Sequence, residues 1–200
     1  MKTAAIIGSL AILLGLAACT DIRETEPDRT ATEQLLISTA ADNAVEQFDF
    51  TSLAGQAVFL RRDYFESYDS GYVLALTRRK LGRDGVRIVD APEDAAFIVE
   101  LRSGALSLNN ELFYIGVGGF TIPVPLSDSI EVPRATLYGD YDRTGIAKFG
   151  ALVFTADGTL HRDLETVYGL SWMDHNSILG IGWNEQNILP DSITDNPRPE

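Results

Sequence analysis

Asp140-Tyr141-Asp142-Arg143-Thr144-Gly145 sets oxygen donors at alternate positions and a glycine at the sixth, which is how a calcium-binding loop begins. The twelfth position, where a bidentate carboxylate should close the shell, is Ala151. Both flanks have strand character, so a hairpin turn with Gly145 in its left-handed position is expected there instead. His161-Arg162-Asp163-Leu164 imitates a kinase catalytic loop, but Tyr168 stands where the metal-binding asparagine belongs, and no glycine-rich nucleotide loop precedes it. Gly116-Val117-Gly118-Gly119 falls short of a dinucleotide fingerprint, because Thr121 replaces the third glycine and Pro123 forbids the helix that would hold phosphate. His161 and His175 are the only imidazoles and do not form an i, i+4 ligand pair; the sole thiol is Cys19. No Gly-x-Ser-x-Gly elbow occurs, and carboxylate pairs such as Glu93 with Asp94 are commonplace in so acidic a chain. The expectation is a protein that is not an enzyme and holds neither metal nor cofactor.

Cys19 has a different chemistry. Lys2 gives a positive start, Ala4 to Leu14 an apolar run, and Leu16-Ala17-Ala18-Cys19 a small-residue cleavage site ending in the cysteine. The run is shorter than the roughly 20 residues of a spanning helix. This stretch resembles the lipobox of bacterial lipoproteins. The resemblance implies diacylation of the Cys19 sulfur, cleavage before it, and acylation of the new amino terminus, so that membrane attachment is through lipid. Thr20 follows the cysteine where an aspartate would resemble an inner-membrane retention signal, which favours the periplasmic face of the outer membrane.

The chain has 200 residues and a formal net charge of −13, and removal of Lys2 with a leader makes the rest more acidic still. Such a charge repels phosphate backbones, so nucleic-acid partners are not expected. With its cysteine committed to lipid, the body has no disulfide, and its stability must come from packing. Residues 1–18 are expected as leader, 19–30 as a flexible tether, 31–189 as one α+β domain, and 190–200 as a disordered, proline-rich tail.

Within the body, Ile37, Ala41, Ala44, Val45 and Phe48 recur at helical spacing after a Thr30/Glu33 capping box, predicting a helix over about 31–48. Ala57-Val58-Phe59-Leu60 reads as a strand. Asp69 caps a second helix whose Val73, Leu76, Thr77 and Leu81 share a face, and Asp84-Gly85 ends it. Strands follow at 86–89 and 96–106. Residues 107–133 are strongly apolar, yet glycine and proline there predict an irregular loop. Strands at 134–142 and 146–155 flank the expected hairpin, and another lies near 165–172. The fold class is α+β: a mixed, mainly antiparallel sheet of about five or six strands with two main helices on one face.

Thr30-Ala31-Thr32-Glu33-Gln34-Leu35-Leu36, the segment from Tyr64 to Tyr72, Arg102-Ser103-Gly104-Ala105 and Val167-Tyr168-Gly169 together resemble a family of bacterial lipoproteins catalogued as a domain of unknown function. That resemblance implies no activity. The strand-helix-strand-strand half is also similar to small α/β domains of envelope assembly lipoproteins and of the Tol-system propeller protein, a likeness of fold alone. The working surface is expected in the apolar segments, at Phe113, Tyr114, Ile115, Phe120 and Ile122 together with Trp183, facing an envelope protein partner. The reading is a non-enzymatic interaction or assembly module. Its rivals are a periplasmic binder of an apolar or glycan ligand, for which Tyr64, Tyr68 and Tyr72 would form a stacking platform, and an unrecognised hydrolase.

Overall fold

A computed structural model describes residues 28–124, 129–132 and 135–189. Cys19, nearly all of the tether and the tail from 190 lie outside them. Contacts divide the chain between Thr30 and Ala31.

Helix α1, Ala31–Val45, buries Leu36, Ile37, Ala40, Ala41, Ala44 and Val45, the face its spacing predicts, although it ends three residues earlier than expected. Helix α2, Ser70–Arg83, buries Val73, Leu76, Thr77 and Leu81. Asp69 takes the N-cap position without a side-chain capping bond, and Gly85 turns the chain at a φ of 81° after the last turn. Lys80 Nζ lies 2.7 Å from both carboxylate oxygens of Asp84, and Oδ2 also accepts the Phe50 amide at 3.0 Å, tying the end of α2 to the loop that follows α1.

Strands β1 (Ala57–Arg61), β2 (Arg87–Val89), β3 (Phe97–Val117), β6 (Ala135–Thr155), β7 (Leu160–Ile178) and β8 (Ile181–Gln186) form one sheet in the order β2-β1-β3-β6-β7-β8. β4 (Phe120–Ile122) and β5 (Ile130–Val132) pair in a separate two-stranded sheet. β1 is parallel to both neighbours, with α2 as the crossover to β2, and every other pairing is antiparallel. The fold is thus α+β, with a mixed six-stranded sheet and two helices.

Both helices cover one face of the sheet. Val58, Leu60, Val99, Leu101, Ala147, Phe149, Ala151 and Val153 meet α1 and α2 in a single buried cluster. Close approach of α1 to β6 and β7 depends on two glycines. A Cβ on Gly145 would stand 2.5 Å from the Leu36 carbonyl oxygen, and one on Gly169 would overlap the Ala40 carbonyl. Ala40, Ala41 and Ala44 supply the small side chains on the helix, and Ser171 Oγ donates to the Leu36 carbonyl at 2.5 Å.

Two expectations are corrected. Asp142 to Gly145 is not a hairpin turn: β6 runs unbroken through it, and Gly145 is there to admit the helix backbone. Residues 107–117 are not a loop: β3 continues for 21 residues in all, pairing with β6 as far as Val117↔Ala135, with Leu137 of β6 taken up at a register shift between Ile115 and Gly116. The break comes only at Gly118 and Gly119, with φ of 88° and 74°.

Candidate functional site

A strand of 21 residues spans about 70 Å, and the helices reach only part of that length. Beyond the level of Gly145 and Ser171, β3, β6, β7 and β8 continue as a sheet in which many large side chains are exposed. Register places its rows. Glu111↔Asp142↔Asp174↔Glu185 is one row across four strands, and Phe113↔Asp140↔Asn176↔Trp183 is the next row on the same face. Ile115↔Tyr138↔Ile178↔Ile181 follows toward the end of the sheet.

Four carboxylates in cross-strand register repel one another. Asp142 is raised above the ordinary carboxylate range by loss of hydration first, then by the charges of Asp140 and Asp174. Asp174 is raised for the same reason, with Asp140 and Glu185 as its charged neighbours. Tyr138 Oη donates to Asp140 at 3.4 Å, and burial, more than that carboxylate, raises its phenol. On the opposite face Arg143 leans over the Tyr141 ring at 5.1 Å and points an Nη at Met173 Sδ. The suspected calcium donors Asp140 and Asp142 therefore lie on a strand, two apart on one face, and not on a loop that wraps an ion. Among the described residues no group of three or more His, Cys, Asp or Glu side chains is placed to hold a metal.

Phe113, Tyr114, Ile115, Phe120, Ile122 and Trp183 are all exposed. Phe113 and Trp183 share a row and Ile115 lies one row farther out on that face, while Tyr114 is on the opposite face. Phe120 and Ile122 sit on β4, paired with Val132 and Ile130 of β5. The sequence pointed to these six through apolar density alone. It did not show that Leu112, Val117, Leu137, Ile178, Leu179 and Ile181 are exposed with them. Nor did it show the acidic row, because Glu111, Asp142, Asp174 and Glu185 come from four separate stretches that only strand register brings together.

Tyr64, Tyr68 and Tyr72 do not form one helical face. Tyr64 and Tyr68 lie in the loop before α2, and Tyr72 in its first turn donates to Asp42 of α1 at 3.0 Å. Tyr72 alone of the three lines the groove between the helices, with Ala31, Leu35, Ser38 and Asp69. His161 stacks on Phe97 near the start of β7, and His175 bonds Asn184 near its far end, so the two imidazoles stand well apart.

A family model matches residues 13–165 and is described as a family of unknown function, DUF6655. A search of the curated proteins found no match.

Proposed function

The chain belongs to DUF6655, a family of unknown function, and from that premise we propose that it is a lipid-anchored, non-enzymatic interaction or assembly module at the periplasmic face of the outer membrane. The observation that carries this reading is the distal half of the sheet, whose large apolar side chains are exposed at one end, away from the helices. Soluble monomers rarely expose so much contiguous apolar surface without using it. Lipid attachment at Cys19 holds that surface at a membrane. One acyl chain binds only marginally, whereas two or more anchor the protein stably.

Cys19→Ala tests the anchor. The variant should stay unprocessed or soluble and take up no clickable fatty acid, and equal labelling of wild type and variant would sink the reading. Crosslinking from positions 113 and 120 in native membranes tests the surface. A defined adduct from these positions, with none from exposed Tyr168 on the covered half, is the expected pattern. The rival, a binder of an apolar or glycan ligand, draws on the groove beside Tyr72. Reproducible thermal stabilisation by a glycan or apolar ligand, lost in Tyr72→Ala, would favour that rival.

A further inference from the structure

We propose that the far end of the sheet is a lipid-inserting tip, which enters the headgroup and upper acyl region of a neutral bilayer. The inference rests on the membrane-anchored reading above and names the partner of that same surface.

Three features of the tip fit lipid better than a protein partner. The apolar groups are on both faces of the sheet and on its turns: Leu112 and Tyr114 on one side, Phe113 and Ile115 on the other, and Leu179 at the β7–β8 turn. A protein dock covers one face, whereas a bilayer surrounds an inserted edge on every side. No Asp, Glu, Lys, Arg or His occurs from Leu112 to Val124, from Ala135 to Gly139, or from Asn176 to Asn184; Glu131 on β5 is the charge among the described residues nearby. Within that zone the aromatic side chains with a polar atom lie inward of the apolar end, Tyr138 in the Ile115 row and Trp183 in the row where Asp140 brings the first carboxylate, and the acidic row follows. This order of apolar end, amphipathic aromatic and charge is that of a segment set in a membrane interface.

The β7–β8 turn supplies the third observation. Leu179 has a φ of 51° and Gly180 a φ of 84°, a tight turn whose first position favours asparagine, aspartate or glycine. Leu179 is the non-glycine residue at positive φ among the described residues, and its side chain is 71% exposed, with Ile181 at 75% and Val117 at 70%. A branched side chain held in an unfavourable backbone conformation gains nothing from the core here, because it does not touch it. Its position at the far end of β7, level with Leu137, makes sense if that turn meets an apolar medium.

The same geometry limits depth. β1 covers the edge of β3 only from Phe97 to Glu100, so among the described strands none pairs with the backbone groups along the outer edge of distal β3. Such groups are costly in hydrocarbon and tolerable among headgroups and water. From the Ile115 row to Val117 is two residues, about 7 Å, within the roughly 5–10 Å of interfacial insertion, which leaves Asp140 in the Phe113 row at the level of headgroups and water. The acidic row opposes anionic headgroups, so neutral lipid is preferred.

The chain has two tryptophans, which makes the test direct. The full lipidated protein is reconstituted in phosphatidylcholine vesicles whose upper acyl chains are brominated. In Trp172→Phe the remaining Trp183 should lose at least about half its emission, and in Trp183→Phe the remaining Trp172, on the level of Thr144, should be unaffected. Adding Leu179→Asp and Ile181→Asp to Trp172→Phe should abolish the quenching, and since both side chains are exposed the fold should persist by circular dichroism. Unquenched Trp183 in protein shown to carry lipid overturns the tip and leaves the anchor intact. Native protein found to carry no lipid on Cys19 that still shows quenched Trp183 on added vesicles upholds the tip and overturns the anchor. Equal quenching of both tryptophans, quenching that survives the double aspartate variant, or a concentration-dependent crosslinked oligomer with no quenching each overturns insertion.

Discussion

The two halves of one sheet obey different rules. In the covered half, Phe149, Leu101, Val99 and Val153 are fully buried, alternate positions point toward the helices, and glycines mark where the helix backbone comes closest. In the distal half the same strands carry apolar groups on both faces, carboxylates in register, and a leucine at positive φ. A strand needs only its neighbours to satisfy its backbone, so β3, β6 and β7 can continue past the helices. Side-chain chemistry is then free of core packing. The contrast teaches that exposed apolar density here is a property of position along the strand, not of a poorly folded region.

Removing a covered aromatic should break this contrast most severely. Phe149→Ala leaves a cavity beside Phe65, whose ring centroid is 5.4 Å away, and should lower stability by about 3–5 kcal/mol in chemical denaturation. Next in size is the helix seam. Gly169→Ala places a methyl against the Ala40 carbonyl, forces α1 outward, and should cost about 1–3 kcal/mol, read as a lowered denaturation midpoint with an unchanged slope. Gly158→Ala, with open space around it but a φ of 87°, should cost less, so a turn glycine and a seam glycine can be told apart.

Truncation in the distal half should barely register. Phe120→Ala or Phe113→Ala should change unfolding free energy by about 1 kcal/mol or less, because neither ring is buried. A loss of the size expected for Phe149 would make the tip part of the core and remove it as a working surface.

The smallest effect sharpens the comparison by its sign. Asp142 and Asp174 are raised in the folded protein, so the fold holds their protons more tightly than the unfolded chain does. Their contribution is favourable below the unfolded carboxylate pKa and is lost as pH rises through the folded value. Asp142→Asn should therefore raise the melting temperature by about 1–3 °C at pH 7 and leave it nearly unchanged in acid, where Asp142 itself is already protonated. Asp157 runs the other way: Thr155 Oγ1 and the Thr159 amide hold its carboxylate below the ordinary range, so its contribution is lost on acidification.

Periodicity alone determined a good deal of this protein. Helical spacing at Ile37, Ala41, Ala44 and Val45, and at Val73, Leu76 and Leu81, specified both helices and their buried faces, and the α+β class followed from the order of elements. Such patterns are legible because one-sided burial imposes its period on the residues. Leu112 to Ile115 has no such period, since a strand apolar on both faces shows four apolar residues in succession, and the glycines and prolines that follow at 116, 118, 119, 123 and 125 point to a loop instead. Gly145 was ambiguous for a related reason. A glycine that admits a passing backbone and one that turns the chain are the same letter, and only tertiary structure brings Leu36 beside it, more than a hundred residues away in sequence. The acidic row and the exposed end share this origin: strand register decided which carboxylates face one another, and the length of α1 decided where cover stops.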